Sequence, residues 1–151
     1  TAAQHQAMIE LARVAWGKSN PTFRQVFTSR FIPGGTPEQL QWFNDLCLKT
    51  TTGDVFSQLL TARGMMEIVQ LLGEVQAPTL VLHARDDEVI PIAEGRLMAS
   101  GIPGAEFVEL DSRNHILLEH EPAWQRFREA VLAFGAALRL REARLLTEAY
   151  V

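Results

Sequence analysis

Cysteine is nearly absent from this 151-residue chain: Cys47 stands alone, so no intramolecular disulfide and no cysteine-rich metal site can form. That usage points to a reducing compartment, and the cytoplasm is the expected location. No apolar run approaches the roughly 18–20 residues of a membrane span. The first ten residues lack the charged-then-apolar order of a signal peptide. Basic charge is scarce too. With 14 Lys and Arg against 18 Asp and Glu, the net charge is −4. No basic stripe offers a nucleic-acid footprint, and direct contact with nucleic acid is not expected. The segment from Arg139 to Arg144 is interrupted by Glu142 and reads as a solvated helix face. There is no initiator Met, internal repeat or low-complexity tract, and the chain is expected to begin inside a larger protein.

What is present divides by periodicity. Residues 1–75 read as short amphipathic helices. The first runs from about Ala3 to Trp16, with Met8, Leu11, Ala12 and Ala15 on one face, and Gly17 breaks it. Asn20-Pro21 opens a second helix, with Asn as cap and Pro at the first helical position. Its stripe is Phe23, Val26, Phe27 and Phe31. Thr36-Pro37-Glu38-Gln39 is a capping box that starts a third, and the run Thr50–Gly53 ends it. A fourth from Asp54 shows Val55, Leu59 and Ala62, and a short helix near Glu67–Leu72 follows. Little strand signal accompanies them, which suggests a lid or cap.

Residues 76–138 change period. Thr79–Ala84 is a continuous apolar run, suited to a parallel strand buried on both faces. Pro91–Ser100 reads as a helix ended by Gly101, and Ala105–Leu110 as a second strand. Pro122 opens a long last helix bearing Trp124, Phe127, Val131, Phe134 and Leu138. Strand, helix, strand, helix is a βαβα unit whose crossover should be right-handed. Residues 139–151 form a helical tail.

The chemistry concentrates at the ends of the two strands. Asp87 closes an acidic turn after the first, and His115 follows 28 residues later, past the second. A carboxylate that accepts an imidazole N–H fixes the tautomer and stabilises the imidazolium during proton transfer. Asp87 can also be read as a plain turn-capping residue, and Asp86 is its rival within the motif. His115 is the candidate general base. His83 reads as a satisfied structural histidine and Cys47 as core. Trp16, Phe23, Phe27, Phe31, Trp42 and Phe43 could line an acyl pocket, although helix packing explains them more simply. His115, Glu119, His120 and Glu121 do not match a zinc spacing; Glu119 and Glu121 read as flanking or capping the last helix. No metal or cofactor is expected.

His83-Ala84-Arg85-Asp86-Asp87-Glu88-Val89-Ile90-Pro91 resembles the pattern His-Gly-x-x-Asp-x-x-Val-Pro of the α/β-hydrolase family, with Ala84 for Gly and Ile90 for Val. Ser112-Arg113-Asn114-His115 stands where that family usually has Gly-x-Gly-His, and Asn114 is the residue best able to stand in for a left-handed Gly. The resemblance covers nearly the whole chain. It implies a partial α/β-hydrolase fold: a helical cap over 1–75, then the C-terminal part of the core. It places the triad acid on Asp87 and the histidine on His115. The wording of the helical half, Trp16-Gly17, Phe23–Phe27 and Pro33–Gln39, together with Asp111–His115, is similar to a bacterial branch. In that branch hydrolase-like domains are often fused to LuxR-type regulators or nucleotide cyclases.

One part of the family's pattern is missing. Its nucleophile sits in Gly-x-Ser-x-Gly at a strand-to-helix elbow. Gly17-Lys18-Ser19-Asn20-Pro21 is the closest string here, and it lacks both the second Gly and a preceding strand. It fails as a phosphate loop too, because Ala12 occupies the first Gly position. The resemblance therefore implies the C-terminal portion of a serine-type hydrolase for an ester, lactone or similar acyl substrate, inactive alone. The alternative is a non-catalytic ligand-sensing or interaction module of a regulator. A blander one is an ordered remnant of a longer chain. Because the first strand's other neighbour is missing, the chain is expected to self-associate or to pair with an N-terminal half.

Overall fold

The computed structural model describes residues 2–18 and 20–148. Ser19, in the string closest to a nucleophile elbow, and residues 149–151 of the expected tail lie outside the described residues. The described residues form two compact units, divided between Ile68 and Val69.

The first unit is helical: α1 (Ala2–Ala15), α2 (Thr22–Phe31), α3 (Pro37–Thr50) and α4 (Gly53–Gly64). The capping box is formed at the start of α3. Thr36 Oγ1 accepts the Gln39 N–H at 3.3 Å, and Gln39 Oε1 accepts the Thr36 N–H at 2.9 Å. At the start of α2, Asn20 Oδ1 accepts the N–H of Thr22 at 3.0 Å, and Pro21 occupies the cap instead of the first helical position. The Thr50–Gly53 run both ends α3 and starts α4. Thr52 is extended, and its hydroxyl oxygen takes the Val55 N–H, so Gly53 opens the next helix. A Cβ on Gly53 would lie 2.7 Å from the Arg13 carbonyl oxygen, which is why α1 and α4 can approach there.

Two helices turn different faces inward from those their apolar spacing predicts. Among the described side chains of α1 and the residue just past it, Ile9, Ala12 and Trp16 are buried, while Leu11 is 48 % exposed. On α4, Val55 and Leu59 face outward and Ser57 is buried. The cause is aromatic. Trp16 stacks on Phe56 at 3.9 Å between centroids and meets Phe27 edge-on at 5.3 Å. Burying those large rings outweighs burying Met8, Leu11, Val55 or Leu59. Trp42 lies outside this cluster, at the surface.

Arg24 is buried on the inner face of α2. Its Nη1 donates to the carbonyl oxygens of Trp16 and Lys18 just past the end of α1. A cation there satisfies acceptors that the helix itself leaves unpaired. Thr28 donates to Asn44 Oδ1 at 3.2 Å, joining α2 to α3 through a buried polar pair.

The second unit holds a 3₁₀ turn at Val69–Glu74, β1 (Leu80–Ala84), α5 (Ile92–Gly101), β2 (Glu106–Leu110) and α6 (Pro122–Glu148). β1 and β2 are parallel, in register from Leu80↔Glu106 to Ala84↔Leu110. This is the βαβα order that the apolar runs predict. Burial on both faces of β1 is not reached: only Ala84 is fully buried, and the other four residues are intermediate. Two strands cannot screen each other as a wide sheet does. Among the described residues each has one unpaired edge. Also among them, no helix is long and apolar enough to cross a membrane.

Candidate active site

The site lies in the second unit, where β1 and β2 end. Their ladder continues past the strands. The Arg85 N–H donates to Leu110 O at 2.9 Å, and the Asp86 N–H donates to Ser112 O at 3.0 Å. The acid turn and the histidine loop therefore leave the sheet side by side.

Asp87 is turned inward, its side chain only 4 % exposed. Oδ1 accepts the N–H groups of Val89 at 2.7 Å and Ile90 at 3.0 Å. Oδ2 lies 2.7 Å from His115 Nδ1. An ionised carboxylate only accepts, so Nδ1 carries the proton and Nε2 becomes the ring nitrogen through which proton exchange with a hydroxyl can run. Asp86, the rival carboxylate, points to solvent and lies beside Arg85. Burial pushes the Asp87 carboxyl up. The His115 hydrogen bond and the Ile90 and Val89 N–H groups outweigh it and hold the group below its ordinary value. The carboxylate is thus kept charged and fixed, which orienting an imidazole requires.

His83, on β1, supports the turn from beneath. Its Nε2 donates to Ile90 O at 2.9 Å and lies 3.7 Å from Asp87 Oδ2. The other side of the ring packs on Gly95 of α5, where a Cβ would come within 2.5 Å of Nδ1.

The His115 loop is tied by side chains. Ser112 and Asn114 are both buried. The Asn114 N–H donates to Ser112 Oγ at 2.9 Å, and Ser112 Oγ donates to Glu121 Oε2 at 2.5 Å. Glu121 Oε1 accepts the Leu118 N–H at 2.6 Å. Arg113 reaches Glu88, bridging the loop and the acid turn. Asn114 does not adopt the left-handed backbone that replacing Gly suggests; among the described residues only Gly104 has positive φ. Glu121 precedes α6 as expected, but its side chain turns back to the loop.

The remaining candidates sit elsewhere. Cys47 is buried in α3, and burial pushes its thiol up, offset in part by the Arg24 guanidinium. Among the described residues no group of three His, Cys, Asp or Glu side chains is placed to hold a metal ion. Ser112, Glu121 and Gly95 escaped sequence reasoning as parts of the site. Ser112 and Glu121 are nine positions apart with no periodic signal between them, and Gly95 looks like an ordinary helix residue.

No protein-family profile matches the chain. It is 26 % identical over 108 residues to the AB hydrolase superfamily protein YisY of Bacillus subtilis, a match spanning 72 % of this chain and 39 % of that protein. Its structure resembles an esterase from Exiguobacterium antarcticum, with TM-score 0.73 and 18 % identity over 89 % of this chain and 48 % of that one. A hydrolase from Pseudomonas aeruginosa PA01 gives TM-score 0.72 and 23 % identity over 88 % and 49 %. The chain thus spans about half or less of each of these proteins. Its fold is part of an α/β-hydrolase fold, and its sequence is similar to part of an AB hydrolase superfamily protein.

Proposed function

We propose that this chain is the C-terminal portion of a serine-type hydrolase acting on an ester, lactone or similar acyl substrate. Asp87 orients the imidazole of His115. His115 takes the proton of a serine hydroxyl as that oxygen attacks the acyl carbon and returns it to the leaving group; it then takes a proton from the water that cleaves the acyl-serine ester and gives it back to the serine oxygen. The observation behind this reading is the 2.7 Å contact from His115 Nδ1 to an inward-turned Asp87 carboxylate, at the ends of two parallel strands.

The serine is supplied from outside these 151 residues, by a preceding segment of the same protein. The sequence has no Gly-x-Ser-x-Gly. Ser112, closest along the chain, gives its hydroxyl proton to Glu121. The chain alone is therefore inactive. The chemistry needs the acyl substrate and water, and it calls on this chain for no cofactor, metal, nucleic acid or membrane.

A fluorophosphonate probe tests this. It should leave the 151-residue chain unlabelled and label the longer protein once. In the longer protein, Asp87→Asn and His115→Gln should each slow labelling about 10³-fold or more. Stoichiometric labelling of the short chain would overturn the assignment. A longer protein that folds yet resists the probe would assign the pair to ligand sensing in a regulator, in keeping with the branch resemblance.

A further inference from the structure

We infer that Glu121 is a positioning residue for His115, holding the histidine loop closed from both sides. The inference rests on the Asp87–His115 pair proposed above. The loop leaves β2 at Ser112 and returns toward α6 at Leu118, with His115 midway between them. One carboxylate reaches both flanks. Glu121 Oε2 accepts the Ser112 hydroxyl at 2.5 Å, and Oε1 accepts the Leu118 N–H at 2.6 Å.

Glu121 occupies the residue before α6, where a side chain would ordinarily turn forward to the helix's own first N–H groups. Here only its backbone serves the helix, accepting the Trp124 N–H at 3.0 Å. The side chain is spent on the loop. Ser112 extends the clamp inward, because its Oγ also accepts the buried Asn114 N–H, next to the histidine. Its carbonyl accepts the Asp86 N–H from the acid turn. A glycine at position 112 could make only the last of these bonds. The side chains at 112 and 121 thus stabilise in this chain a turn for which no left-handed residue is present.

The clamp is tested by proton NMR of the 151-residue chain and of the longer protein. The Asp87–His115 pair should give a downfield Nδ1–H resonance, assigned by its loss in Asp87→Asn. Glu121→Ala removes both acceptors and should broaden that resonance, with solvent exchange of the proton about tenfold faster. Glu121→Gln restores it, since the amide offers an acceptor to Leu118 and a donor to Ser112 Oγ. A residue serving only the helix would lower the melting temperature without moving this proton. A folded Glu121→Ala protein with parental shift and exchange rate would overturn the inference. If that variant does not fold, Ser112→Gly carries the decision, by a smaller acceleration or by none. Absence of the resonance from the parent protein would instead overturn the Asp87–His115 reading, and this inference with it.

Discussion

A methyl group at position 95 has no room. It would sit 2.5 Å from Nδ1 and 2.9 Å from Cγ of His83, so the ring must shift and loosen its bond to Ile90 O. Gly95→Ala should cost about 1–3 kcal/mol, the usual penalty for overpacking. Urea denaturation checks it, and the same substitution in a His83→Ala background should cost much less. An equal loss in both backgrounds would show that the ring is not the obstacle. Asp87 sets an acid limit. Its carboxyl lies below the ordinary value of 3.8 when folded, so protons bind the unfolded chain first. Its contribution is complete above that ordinary value and fades as pH falls through the lowered native one. Unfolding measured from about pH 5 to pH 2 should show a steeper loss in the parent than in Asp87→Asn. Parallel curves would refute the coupling. At this scale the sequence was half legible. Asp87 and His115 stand out because strand ends concentrate chemistry. Glu121 does not, because nothing local distinguishes a carboxylate that caps a helix from one that clamps a loop.

Among the elements, beginnings were easier to read than faces. Thr36-Pro37-Glu38-Gln39 encodes its helix start in four adjacent residues, and the hydrogen bonds are those the spacing requires. Thr36→Ala should cost about 1 kcal/mol by thermal or chemical unfolding. A change within error would mean that Pro37 alone defines the start. The apolar runs of β1 and β2 likewise mark their own limits to within a residue. Facing is a different problem, because it depends on a partner. Met8 and Leu11 have the spacing of a core stripe, yet Trp16 and Phe56 find each other and rotate α1 and α4 about that contact. Arg24 shows the same limit. A charged residue on an apolar helix reads as solvent-facing until the open carbonyls of Trp16 and Lys18 come within its reach.

For the molecule as a whole, the two-stranded sheet is the decisive quantity. Among the described residues β1 bonds to β2 alone, which leaves half-buried apolar residues on a strand with an open ladder. Such an edge is a pairing template. The 151-residue chain should therefore self-associate, or pair with a segment that adds a strand beside β1. Light scattering after gel filtration checks this, and a stable monodisperse monomer across micromolar concentrations would contradict it. Resemblance to a larger fold made this edge legible in advance. The depth to which two strands can bury one another was not, because it depends on neighbours that no local pattern describes.

Because the bonds from Arg85 to Leu110 and from Asp86 to Ser112 prolong the sheet beyond its strands, the Asp87 turn and the His115 loop are stitched into a single mechanical piece. A displacement of one turn is inherited by the other, so their separation tolerates jostling that their absolute positions do not.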